Sequence, residues 1–159
     1  MNIALFPGSF DPFHNGHLEV VERASRLFDE VVVAVLRNPQ KVEPLFSLSE
    51  RQDMLEESLA HLERVRIVSV STLVVNVARD VNATVIIKGL RAVTDFENEL
   101  QMAQMNKQLS GMETLFLPTS STYSFIASRL LREVARFGGD VGALVPKSVE
   151  LRLRDKFPQ

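Results

Sequence analysis

The 159-residue chain is 45% hydrophobic, carries a formal net charge of -2 and contains no cysteine. Disulfides, thiolate catalysis and thiolate metal sites are excluded, and so is a global electrostatic pull toward nucleic acid or an anionic membrane. The length suits one domain with a real core, spanning residues 1–159.

Met1 leads straight into a short apolar run, Asn2 to Phe6, with no charged segment followed by a long apolar one. No later run is long enough to span a bilayer, so a cytoplasmic protein is expected. After the first run, Leu18, Val21, Ala24, Leu27 and Phe28 fall on one stripe of a helix. Val31 to Leu36 is a second strand. Ser47 and Glu50 then fit a capping box, in which a hydroxyl and a carboxylate three residues apart satisfy free helix N–H groups. Val65 to Val70 and Thr84 to Ile87 read as the third and fourth strands, and Thr94 with Glu97 as a second capping box. Met102, Met105 and Leu100 on that helix read as packing residues from their spacing. Thr114 to Leu117 is the fifth strand, followed by helices over Ser124 to Phe137, closed by Gly138-Gly139, and over Lys147 to Lys156.

Strands alternating with helices predict an α/β fold with a doubly wound, five-stranded parallel sheet, whose ligand crevice lies outside the carboxyl ends of the strands. The segments that follow the strands hold Lys41, Lys88, Arg91 and many hydroxyls. One sheet edge therefore concentrates cations, glycines and donors, which is what a polyphosphate ligand requires.

The densest signal is Pro7-Gly8-Ser9-Phe10-Asp11-Pro12-Phe13-His14-Asn15-Gly16-His17, directly after the first strand and opening the first helix. Gly8 would let backbone approach a ligand, and Gly16 would keep the helix start clear beside the two histidines. Each imidazole can donate to a phosphoryl oxygen, and the helix dipole adds to the same field. A turn carrying two unrelated histidines is the bland alternative. Zinc ligation is another, but no third ligand is evident, and no protein-bound metal is expected. Ser124 reads as an N-cap whose helix end could receive an anion. Lys88, Arg91, Lys41 and Glu99, taken singly, would pass for solvated surface charges, and Val74 for core.

The Gly-Ser-Phe-Asp-Pro string ending in His-x-Gly-His resembles the signature of the nucleotidylyltransferase superfamily. Within it, Asn38-Pro39-Gln40-Lys41, Lys88-Gly89-Leu90-Arg91, Asp95-Phe96-Glu97-Asn98-Glu99 and Tyr123-Ser124-Phe125-Ile126 resemble the bacterial phosphopantetheine adenylyltransferases, over residues 3 to 155. The resemblance implies a Rossmann-like nucleotidylyltransferase fold and adenylyl transfer from ATP to 4'-phosphopantetheine, with release of pyrophosphate and dephospho-coenzyme A. It implies that Ser9, Phe10, His17, Gly89, Leu90, Arg91, Glu99 and the segment Tyr123, Ser124, Phe125, Ile126, Ala127, Ser128 and Arg129 bind ATP. Ser9, Lys41, Val74 and Lys88 then bind the acceptor, with His17, Lys41 and Arg91 acting in catalysis.

By the same resemblance, magnesium (Mg2+) accompanies ATP, the chain forms homohexamers and coenzyme A inhibits. Ala127 departs from the family's serine-rich stretch and loses a hydroxyl contact, and Arg129 either holds a phosphate or points to solvent. His14 is shared with relatives acting on nicotinate mononucleotide. That acceptor, a cytidylyl transfer, and a nucleotide sensor without turnover are the competing readings.

Overall fold

The computed structural model describes residues 1–37 and 43–159. Five strands, β1 (Ile3–Gly8), β2 (Glu30–Leu36), β3 (Val65–Val70), β4 (Val85–Leu90) and β5 (Thr114–Pro118), form one sheet in the order β3-β2-β1-β4-β5. Every neighbouring pair is parallel. The helices between and after them are α1 (Asn15–Leu27), α2 (Leu48–Leu59), α3 (Val74–Asp80), α4 (Val93–Ser110), α5 (Ser128–Arg136) and α6 (Lys147–Lys156). The expected α/β, doubly wound, five-stranded parallel sheet is therefore present.

The inner strands β1, β2 and β4 are buried on both faces over most of their length, and their alternate residues divide between two cores. Ala4 and Phe6 of β1, Val31, Val33 and Val35 of β2 and Ile87 of β4 pack on the side of α1, α2, α5 and α6. Ile3 and Leu5, Val32 and Ala34, and Ile86 pack on the other side, against Val77 and Ala78 of α3. From β1 the chain winds outward to β3, and α3 then carries it back to β4 on the far side of β1. The winding direction reverses between β1 and β4, so their carboxyl ends frame the crevice.

Several boundaries differ from expectation. β1 continues through Pro7 and Gly8, whose partners are Ala34 and Val35, and β4 continues through Lys88, Gly89 and Leu90, paired with Phe116, Leu117 and Pro118. The ladder runs on where side-chain character changes, so the polar residues mark the site and not the strand end. The α1 stripe includes Val20, while Leu27 is exposed. Ser47 and Glu50 form the expected capping box. Thr94 and Glu97 do not: only two residues separate β4 from α4, so the N-cap falls on Ala92 and Thr94 lies inside the first turn. Ser124 is likewise no N-cap, because residues 120 to 126 fold as successive turns that bury Ile126, and the helix begins after Ala127. Met102 and Met105 are both 56% exposed, so neither is a core residue.

Candidate active site

A cleft of about 1700 Å³ opens at the carboxyl ends of β1 and β4 and reaches across to α5. Pockets for one small molecule are usually about 300–1,000 Å³, so this cleft has room for two substrates side by side. Among the described residues, eight Lys or Arg side chains and five carboxylates line it, an excess of positive charge in a chain of net charge -2.

Two histidines at the start of α1 form its floor. His14 is the N-cap: its Nδ1 accepts from Gly16 N at 3.0 Å and His17 N at 3.4 Å. His17 Nδ1 in turn accepts from His14 N at 3.2 Å. A ring nitrogen that accepts from a backbone N–H carries no proton, so each neutral imidazole bears its hydrogen on Nε2 and can donate there. The rings stack with centroids 3.6 Å apart, and Phe10 and Phe13 enclose His17 at 5.1 and 5.5 Å.

Burial holds the His14 pKa down to about 3, with Arg91 adding to the effect, and pushes His17 well below its ordinary value, helped by His14, Arg91 and Lys88. Both are neutral donors at pH 7. Gly16 is required by this arrangement, since a Cβ there would lie 2.9 Å from the His14 ring. Gly8, which lines the cleft, has a further role: a Cβ there would meet the Phe10 ring at 2.7 Å, so it also makes room for Phe10. Phe10 itself adopts φ 49°, a left-handed backbone that costs an L-residue roughly 1–2 kcal/mol. That turn brings its buried ring edge-on to His17.

The neutral histidines make stability depend on pH. In the unfolded chain each binds a proton below about pH 6.5, whereas in the folded chain neither does until far lower. Their contribution is therefore complete above pH 6.5 and is lost as pH falls toward 3. Denaturant melts between pH 6.5 and 5 should lose up to about 2.7 kcal/mol per pH unit, and His14→Asn, which keeps a capping oxygen, should halve that slope. A wild-type slope near zero would contradict the neutral assignment.

The cations stand on β4 and α5. Arg91 donates through Nε and Nη2 to Asp95, at 3.0 and 3.2 Å, and through Nη1 to the Ile126 carbonyl at 2.6 Å. Lys88 lies 3.4 Å from Glu99 and 3.5 Å from the Pro7 carbonyl. At α5, the N-cap Ala127 offers no side-chain acceptor, so the helix start beside Ser128 and Arg129 keeps N–H groups for an anion. The Ser128 hydroxyl is turned away, donating to the Pro12 carbonyl at 2.8 Å.

Of the residues expected in the site, Ser9, Phe10, His17, Lys88, Gly89, Arg91, Glu99, Ala127, Ser128 and Arg129 line the cleft. Arg129 is largely exposed and 4.0 Å from Glu133. Leu90, Tyr123, Ser124, Phe125 and Ile126 do not line it. The Leu90 carbonyl accepts from both the backbone and the hydroxyl of Thr119, at 2.8 and 2.9 Å, and Ile126 acts through its carbonyl on Arg91. Phe125 is 61% exposed. Val74 starts α3 and packs against the second core, away from the cleft. Lys41, with residues 38 to 42, lies outside the described residues.

Two residues had no assigned role. The buried Asp11 carboxylate accepts from Leu45 N and Phe46 N, both at 2.9 Å. Buried Arg51 donates to the carbonyls of Phe46, Ser9 and Leu36 at 3.2, 2.7 and 3.0 Å. A signal existed for Arg51, since it shares an i, i+3, i+4 face with the buried Met54 and Leu55.

The cytidylyltransferase-like family model matches residues 5–134 of the chain. A phosphopantetheine adenylyltransferase of Carboxydothermus hydrogenoformans is 53% identical over 99% of this chain and 97% of its own length. One of Gloeobacter violaceus is 53% identical over 98% and 96%, and one of Synechococcus sp. strain RCC307 is 54% identical over 98% and 94%.

Proposed function

The chain belongs to the cytidylyltransferase-like family, among the phosphopantetheine adenylyltransferases, and from that premise we propose how its cleft performs the reaction. The enzyme is a nucleotidyltransferase that moves the adenylyl group of ATP to 4'-phosphopantetheine, in coenzyme A biosynthesis. An oxygen of the acceptor phosphate attacks the α-phosphorus in line. The bond from that phosphorus to the bridging oxygen breaks, and its electron pair leaves with pyrophosphate, giving dephospho-coenzyme A. The acceptor phosphate is already anionic near neutrality, so no general base is needed, and the protein supplies position and charge stabilisation.

The locked tautomer of His17 is the observation that carries this reading. With Nδ1 held by the His14 N–H, Nε2–H is a fixed donor for an α-phosphoryl oxygen. Arg91 and the open start of α5 suit the nucleotide phosphates, Lys88 and Ser9 the acceptor phosphate, and residues 1–159 act as one nucleotidylyltransferase domain. The cleft carboxylates support a particular place for magnesium. Four of the five carboxylates that line the cleft among the described residues already have partners: Asp11 two backbone N–H groups, Glu50 the Ser47 N–H and Lys156, Asp95 Arg91 and Glu99 Lys88. Magnesium then comes as the counterion of ATP, held by phosphate oxygens and water.

Self-association as a homohexamer is supported by the outer face of α4. Met102, Met105 and Leu109 are exposed at i, i+3 and i+7. An apolar stripe of this kind marks an interface, and a monomeric mass in analytical ultracentrifugation would remove the proposal. Inhibition by coenzyme A fits a cleft that holds its precursor. The cytoplasm is the proposed compartment; among the described residues no helix is long and apolar enough to cross a membrane.

Incubation with ATP, magnesium and 4'-phosphopantetheine should release pyrophosphate and dephospho-coenzyme A in equal amounts. Turnover with nicotinate mononucleotide in its place, or ATP binding without pyrophosphate, would overturn the assignment.

A further inference from the structure

Arg91, at the β4 end of the cleft, is held from two sides before any ligand arrives. A guanidinium has five N–H donors in a rigid fork. Asp95 takes Nε and one hydrogen of Nη2, the Ile126 carbonyl takes one hydrogen of Nη1, and one hydrogen on each terminal nitrogen is left. Two donors on adjacent nitrogens are the pattern that grips a phosphate through two oxygens. The fork is positioned from both sides. Asp95 stands in the first turn of α4, one turn after Arg91, and Ile126 is buried just before α5. Glu99, a further turn along α4, meets Lys88 in the same way, so the helix pairs its carboxylates one turn apart with the two cations of the β4 end.

An arginine free to rotate would lose much of its rotamer freedom on gripping a phosphate, and would face water in many orientations beforehand. Asp95 removes that cost in advance. Its charge also faces Arg91 from the side away from the free donors, so the carboxylate and an incoming phosphate need not compete for the same hydrogens.

We propose that Asp95 is a positioning residue of the nucleotide site, acting on ATP only through the orientation of Arg91. The inference rests on Arg91 being a ligand of ATP. Calorimetric titration of the full chain with magnesium–ATP separates the two statements when run on wild type, Asp95→Ala, Arg91→Ala and the double variant. Asp95→Ala should raise the Kd for ATP about tenfold in the wild-type background and leave it within about twofold in the Arg91→Ala background. Asp95→Asn, which keeps one acceptor oxygen but turns an N–H pair toward the guanidinium, should fall between. Affinity for 4'-phosphopantetheine should not change. A merely structural Asp95, stabilising the first turn of α4, predicts equal losses in both backgrounds. That outcome, with Arg91→Ala itself weakened, overturns the positioning role alone. Wild-type ATP affinity in Arg91→Ala overturns both the positioning role and the assignment of Arg91.

Discussion

His17→Ala is expected to lose roughly a hundredfold in the rate of adenylyl transfer while keeping its fold and most of its affinity for ATP. The imidazole is neutral and its Nε2 carries the hydrogen, because Nδ1 is occupied by the His14 N–H and burial pushes the pKa down. As charge redistributes over the α-phosphoryl oxygens, a donor fixed beforehand stabilises the transition state more than the bound substrate, and only that difference accelerates the reaction. Loss of one such donor elsewhere costs about 3 kcal/mol. The null alternative is a packing role: Phe10, Phe13 and His14 all touch the ring, and their loss of contact would appear as a lower melting temperature with an unchanged rate per folded molecule.

His17→Asn and His17→Gln can still donate and should retain more activity than His17→Ala. Single-turnover rates on folded, ATP-saturated protein decide the matter. A near-normal rate for His17→Ala would remove the residue from catalysis. The transfer rate should also show no inflection between pH 6 and 8 that disappears in His17→Asn, since a group already neutral there has nothing to titrate.

What the sequence disclosed, and what it withheld, follows from the range of the interactions. Strand runs and the Ser47–Glu50 cap are local, and hydrophobic pattern with a three-residue spacing is enough to find them. The eleven-residue string from Pro7 to His17 was legible as a site because so many unusual residue types sit together. Its internal division of labour was not, since Gly8 makes room for Phe10, which sits in a left-handed turn, and His14 caps the helix start. The starts of α4 and α5 were misplaced for a common reason. Thr94 and Ser124 are good capping residues by type, but the short exit from β4 and the burial of Ile126 decide where those helices begin. Met102 and Met105 have helical spacing but are more than half exposed, because periodicity reports that a face is apolar and not what covers it. In the clamp made by Asp11 and Arg51, the bonds from Asp11 to Leu45 and Phe46 and from Arg51 to Ser9 join residues 34 to 42 positions apart, beyond any local pattern.

Arg51→Met should be the most destabilising substitution outside the hydrophobic core. Replacing a buried ion pair by an apolar residue of similar size is often harmless, because both charges leave together. Arg51 is a different case. Its hydrogen bonds go to the carbonyls of Ser9, Leu36 and Phe46, which stay in place when the guanidinium is removed and lose a charged donor. A buried acceptor left without its partner costs about 1–3 kcal/mol, and with the Phe46 bond buried and those to Ser9 and Leu36 part-buried the summed loss is about 3 kcal/mol. For a chain of this size that is a fall of roughly 6–12 °C in Tm.

Arg51→Lys should recover only part, since one ammonium on a flexible stem cannot reproduce a planar fork reaching carbonyls on three segments. The damage should also reach function in the molecules that stay folded, because Ser9 borders the cleft, Leu36 ends β2 and Phe46 precedes the N-cap of α2. Asp11 holds the same stretch through Leu45 and Phe46, so Asp11→Asn, which can keep only one of the two backbone bonds at full strength, should shift Tm in the same direction by less. Differential scanning calorimetry of the three variants measures this directly. An Arg51→Met protein that melts within about 2 °C of wild type would mean that water replaces the guanidinium at all three carbonyls, and that the buried cation serves something other than the fold.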